Sequence, residues 1–165
     1  MQKLSILRNI WRIATFPGVM AILLLLTVAC QHRPATMQYA TLPLEGWKST
    51  DTLFFEVDSL TAAANYNLHA SVRTSVAHPY DFRQLVVEVR QKWYPGDIEH
   101  VDTVTFNFSV PASERTGKGV SVFTYELPTV TLHQPIGASA HIEVRHLMRR
   151  SPLHGISDVG ICLKR

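Results

Sequence analysis

Thr103-Val104-Thr105-Phe106-Asn107-Phe108-Ser109-Val110-Pro111 alternates polar and apolar side chains without a break. A period of two places one face of a β-strand on a core and the other in water. Pro111 ends the run, because proline has no amide proton to give to a ladder. Outward from this strand the same period recurs. Leu53, Phe55 and Val57 oppose Thr52, Phe54 and Glu56, and Tyr66, Leu68, Ala70 and Val72 alternate with Asn67, His69, Ser71 and Arg73. Leu85-Val86-Val87-Glu88-Val89-Arg90 runs toward Trp93 and stops at Pro95-Gly96-Asp97. Downstream, Gly117-Lys118-Gly119 reads as a hairpin loop leading into Val120 to Leu127, and Pro128 and Pro135-Ile136-Gly137 bracket a short strand or turn. Ala140 to His146 and Val159 to Leu163 complete the series. Seven or eight strands with no long 3.6-residue period argue against parallel βαβ construction. The expected fold is all-β: an antiparallel β-sandwich, Greek-key or jelly-roll-like, that buries one face of each sheet against the other.

Charge narrows the function classes. The 165 residues carry 16 Lys and Arg against 13 Asp and Glu, and the three excess cations are Lys3, Arg8 and Arg12, all upstream of the first acid, Glu45. From Cys30 onward the chain is formally neutral and has no general attraction for phosphate backbones, so nucleic acid is not an expected partner. Low charge with 46% apolar residues also excludes an intrinsically disordered chain.

The excess cations belong to an address. After Lys3, Arg8 and Arg12 comes an apolar stretch from Gly18 to Leu26, then Thr27-Val28-Ala29-Cys30. This is the layout of a secretory signal, and the apolar run, broken by Pro17-Gly18, falls short of the roughly 20 residues of a comfortable span. A cysteine directly after a small residue resembles the lipobox of bacterial lipoproteins, with Thr27 where leucine is usual. Lipidation of Cys30 is the expectation. Two or three acyl chains on one residue give lasting anchorage in a bilayer. Gln31 and His32 follow without an acid, which favours retention in the outer membrane facing the periplasm. With Cys30 acylated, Cys162 has no disulfide partner and reads as a small apolar residue of the last strand. The organisation expected is a leader over 1–29, a lipidated cysteine and flexible tether over 30–49, and a sandwich domain over 50–165.

No catalytic or metal-ligating set is expected, and no cofactor beyond the acyl chains on Cys30. His141, Glu143 and Arg145 share a strand face, but His146 has the opposite parity, so His141 and His146 cannot converge on a zinc ion from a regular strand. Asp97, Glu99 and Asp102 lack the density of a calcium loop. Asp51, Asp58, Asp102 and Asp158 could supply a carboxylate pair for glycoside hydrolysis, but two acids are expected in any chain of this length and read as strand-end turns or ion pairs, and no G-x-S-x-G presents a nucleophile. Two groups remain as binding candidates. Arg145, Met148, Arg149 and Arg150, followed by Pro152, read either as a partner-facing surface, where Arg and Met are enriched, or as a charged turn. Trp93 and Tyr94, with Trp47, read either as rings that stack on a saccharide or partner, or as the edge of the core. Asp158 is expected to pair with Arg149 and fix the last turn.

Several blocks taken in order resemble the gliding-motility lipoprotein H (GldH) family of the Bacteroidota. They are Cys30; Trp47, Asp51, Phe55 and Asp58; Tyr66-Asn67-Leu68 with Val72-Arg73; Tyr80 with Leu85; Asp102-Thr103; and the tail Met148-Arg149, Leu153, Gly155-Ile156, Asp158-Val159-Gly160-Ile161. Departures are Gln84 before Leu85 and a Gly-rich segment reduced to Gly117-Lys118-Gly119. The resemblance implies an envelope lipoprotein linked to gliding and to the type IX secretion machinery. It would be held in the bilayer through Cys30 and would work beside other envelope proteins as a scaffold or assembly factor without a reaction of its own. An envelope-anchored carbohydrate-binding module using Trp47, Trp93 and Tyr94 is the alternative.

Overall fold

The computed structural model describes residues 35–75, 77, 80–108 and 122–165. The leader, Cys30, Val110 with Pro111, and Gly117-Lys118-Gly119 lie outside the described residues. Wherever the period-two pattern was read, a strand forms: β2 (Leu53–Val57), β3 (Ala64–Ser75), β4 (Gln84–Tyr94), β5 (Ile98–Asn107), β7 (Ser139–His146) and β8 (Ile156–Lys164). Their apolar parities supply the core. Phe55 and Val57, Leu68, Ala70 and Val72, Leu85, Val87 and Val89, Val104 and Phe106, Ile142 and Val144, and Ile161 and Leu163 are all buried.

Two strands differ from the sequence reading. β6 (Val122–Gln134) runs straight through Pro128, where a break was expected. It is an edge strand, where every second backbone nitrogen faces away from the sheet and a proline is tolerated. A bulge accompanies it, for the register with β3 shifts between Asn67 and His69. Inward-facing positions consequently change from Tyr125 and Leu127 to Leu132 and Gln134. The second difference is β1 (Thr36–Thr41), which lies inside the expected tether and pairs antiparallel with β8 from Thr36↔Leu163 to Thr41↔Asp158. Thr36-Met37-Gln38-Tyr39-Ala40-Thr41 alternates only over its first four residues and buries none of them fully, and its edge position is fixed by the ladder with β8. The folded domain therefore starts near residue 35 rather than 50.

The strands form two four-stranded antiparallel sheets ordered β1-β8-β3-β6 and β2-β7-β4-β5. Four of the pairings are nested, β1 with β8, β2 with β7, β3 with β6 and β4 with β5. The chain is thus one long hairpin, with its tip at Pro95-Gly96-Asp97, wrapped into a sandwich by the β3–β8 and β4–β7 ladders. That nesting is the jelly roll among the two expected alternatives. It gives the sandwich unlike ends. One end carries Ala35, Lys164 and three connections, 58–63, 95–97 and 135–138. The other carries the longer connections 42–52, 76–83, 108–121 and 147–155.

Candidate functional site

The long-loop end is built around Trp47, whose side chain is 0% exposed. Gly46 makes this possible. It has φ +92°, and a Cβ there would stand 2.6 Å from the carbonyl oxygen of Leu153. The close approach lets Trp47 and Leu153 exchange backbone hydrogen bonds of 2.9 and 2.8 Å, fastening connection 42–52 to connection 147–155. The indole N–H of Trp47 donates to the carbonyl of Asp51 at 2.9 Å, and Ser49 N–H donates to Ser151 Oγ at 2.9 Å. Beneath the indole lies His146, edge to face with ring centroids 5.1 Å apart. Its Nδ1 accepts from Met148 N–H at 3.3 Å, while Nε2 is buried without a partner. Burial pushes the His146 pKa below the ordinary histidine value. At the same end an aromatic group, Tyr80, Phe82, Phe108 and Tyr125, packs ring against ring. Burial raises the Tyr80 phenol to about 12.

On this base the expected binding residues separate. Arg149 and Arg150 are exposed and carry no acidic partner among the described residues, nor does Lys48 on the facing connection. Met148 turns inward instead: its Sδ accepts from Val86 N–H at 3.5 Å and its side chain packs on the core. Arg145 stands on the outer face of β7, engaged with Glu88 by two hydrogen bonds of 2.9 and 3.0 Å. That pair, led by the hydrogen bond itself, lowers the Glu88 pKa and raises that of Arg145. Trp93 is 1% exposed and is core, its N–H donating to Gln91 Oε1 at 3.2 Å, whereas Tyr94 is 40% exposed. With Trp47 and Trp93 both internal, the aromatic platform of a saccharide site is reduced to one ring. The expected Arg149–Asp158 pair does not form. Asp158 accepts from Thr41 at 2.8 Å and from Ser157 at 2.9 Å, because β1 occupies the position beside it.

Other polar side chains are also engaged with one another. Across the outer face of β2-β7-β4-β5, Arg90 reaches Glu99 at 2.7 Å, Glu88 at 3.6 Å and Glu143 at 3.9 Å, and His141 meets Glu56 at 2.6 Å. Asp97 faces Lys92 at 3.4 Å and Asp102 faces Gln91 at 3.3 Å. Buried Gln91, which the sequence reading passed over, bridges the sheets by donating to Thr129 Oγ1 at 3.1 Å, and that hydroxyl donates to the Leu68 carbonyl at 2.8 Å. Its parity with Val87, Val89 and Trp93 was the available signal. Cys162 is a free, buried thiol in β8, as expected.

The fold and this end define an eight-stranded jelly-roll domain whose long loops carry arginines without an acidic partner among the described residues, with Ala35 at the opposite end. A family model described as GldH lipoprotein matches residues 35–163, and the chain belongs to that family of gliding-motility-associated lipoproteins. The match begins within one residue of β1, in agreement with the earlier domain start. No curated protein matches the sequence. Among solved structures, a chain titled "Structure of Eiger TNF from S. frugiperda" is similar at 11% identity, covering 81% of this chain and 94% of that one, with a TM-score of 0.25.

Proposed function

We propose that the protein is a lipid-anchored, non-enzymatic scaffold or assembly factor of the gliding or type IX secretion machinery. It is held in the outer membrane, facing the periplasm, through acyl chains on Cys30, and it meets acidic surfaces of other envelope proteins with its long-loop end. The observation that carries this reading is the contrast between two groups of cations. Arg90, Arg145 and Lys92 on the sheet face are each satisfied by a carboxylate. Arg149 and Arg150 are exposed on a connection fastened by Trp47 and Leu153. Arginine on a fastened connection, without an acidic partner among the described residues, is suited to recognising carboxylates on another protein. Trp47, Asp51, Met148 and Leu153, residues on which the family resemblance rests, build the same end. The absence of a reaction is supported by the separation of Asp51, Asp102 and Asp158, each of which accepts from a different local donor.

The test is photo-crosslinking in intact cells of the native species. A crosslinking residue replaces Arg149 or Arg150 in the tagged protein, with position 143 on the sheet face as the comparison and Cys30→Ala as the anchoring control. Gliding or type IX secretion components recovered from 149 and 150, but not from 143 and not in the Cys30→Ala control, support the reading. Recovery of glycan-handling proteins, or of none from any position, overturns it.

A further inference from the structure

The short-connection end exposes apolar side chains, as the long-loop end does at Leu44 and Leu147. Tyr94 closes β4, Ile98 opens β5 and Ile136 sits in the β6–β7 connection, with exposures of 40%, 49% and 68%. Tyr94 is the register partner of Ser139, three residues after Ile136, and Ile98 is that of Trp93, so the three lie at the same end of one sheet. The end is firm. Ala138 N–H donates to the Pro135 carbonyl at 3.3 Å, while Leu60 N–H donates to the Ala138 carbonyl at 2.7 Å and Gly137 N–H to the Leu60 carbonyl at 2.8 Å. Lys92 lies 5.4 Å from the Tyr94 ring centroid, and Lys164 and the exposed Arg165 close β8 at the same end. Asp58 and Asp97 also stand there, which leaves the end close to neutral. A tyrosine and two isoleucines exposed at one end, with Arg165 at the same end and Lys92 and Lys164 paired to Asp97 and Glu126, present an aromatic and apolar surface of the kind that rests at the headgroup boundary of a bilayer.

Where the chain enters the domain adds the second observation. Ala35 N–H donates to the Leu163 carbonyl at 2.7 Å, at this end. Five residues from Cys30 span at most about 17 Å fully extended. With β1 taken into the sheet, only residues 31–34 lie between Cys30 and the domain, which limits how far this end can stand from the anchoring residue.

We infer that the end carrying Tyr94, Ile98 and Ile136 rests on the surface of the anchoring bilayer as a second, non-covalent contact. This points the Arg149 loop away from the lipid by the length of a strand such as β4, roughly 33 Å. The inference rests on the proposed acylation of Cys30, and its test separates the two. Full-length lipoprotein is purified from membranes, its Cys30 lipid mass is measured, and it is reconstituted in phosphatidylethanolamine–phosphatidylglycerol vesicles with a nitroxide at position 98, 136 or 149. Collision rates with oxygen and with a water-soluble nickel complex are then compared. The expected result is an oxygen-to-nickel ratio several-fold higher at 98 and 136 than at 149. Equal ratios at all three sites with the lipid mass present overturn the contact and leave the anchor standing. A missing lipid mass with 98 and 136 still shielded overturns the anchor alone, and shielding at 149 in place of 136 reverses the orientation and refutes the inference.

Discussion

Gly160→Ala tests whether β1 is an integral strand. Tyr39 on β1 is the register partner of Gly160 on β8, and its ring lies across the glycine so that its hydroxyl meets Ser71 Oγ on β3 at 3.0 Å. Arg73 covers the same ring at 3.6 Å. A Cβ on residue 160 would stand 2.5 and 2.8 Å from Tyr39 Cδ1 and Cε1, and also against the Gln38 carbonyl oxygen, which is backbone and cannot swing aside. Alanine must displace the ring and the strand together. Overpacking of a filled site costs about 1–3 kcal/mol. Loss of the cation–π contact adds about 0.5–1 kcal/mol, and loss of the hydroxyl hydrogen bond about 0.5–1.5 kcal/mol. Reduced freedom of the unfolded chain offsets about 0.4–1 kcal/mol. The net is about 3 kcal/mol, a fall in Tm of roughly 12 °C at about 4 °C per kcal/mol for a domain of this size. Thermal and urea unfolding followed by tryptophan fluorescence measure it. Tyr39→Ala with Gly160→Ala should cost less than the sum of the single changes, because the ring conflict disappears. A Gly160→Ala Tm within about 2 °C of the parent, or strict additivity in the double variant, would refute the reasoning.

Trp47→Ala should destabilise by about 3–5 kcal/mol as a buried indole is removed, and should loosen both connections it fastens. Hydrogen exchange at residues 147–153 checks this, and an unchanged exchange rate would remove Trp47 as the fastener. Stability should also fall as pH drops below the ordinary histidine value of 6.5. Burial lowers the pKa of both His146 and His69 in the folded chain, so the unfolded chain binds more protons below that value. The stabilisation is complete above pH 6.5 and declines on acidification until the folded-state values are passed. His146→Gln should shrink the pH dependence of Tm, and an unaltered profile would mean that His146 is not its source.

What could be read from the sequence follows from where the information is local. Six strands are marked by alternating side chains along a few consecutive residues, and those residues fill the core. β1 alternates only over its first four residues and buries none of them fully. Its place depends on an open edge of β8 and on the bare Cα of Gly160, far away in the chain. Pro128 looked like a stop because the sequence does not say which strands lie at an edge, and an edge strand tolerates the missing donor. The binding candidates show the same limit. Arg145, Met148, Arg149 and Arg150 are close neighbours in sequence. Only folding brings Glu88 to Arg145 and the Val86 amide to Met148, leaving Arg149 and Arg150 free of acidic partners among the described residues.

The sequence by itself determined an all-β sandwich and a resemblance that the family match bears out, because periodicity and ordered motifs are properties of the chain. Tertiary structure decided the nesting of the strands, the early start of the domain, the burial of Trp47 and Trp93, and the two ends of the barrel-like wrap. Each of these depends on which distant segments become neighbours. Ladder hydrogen bonds and core packing across the whole molecule select those neighbours, and no stretch of residues specifies them alone.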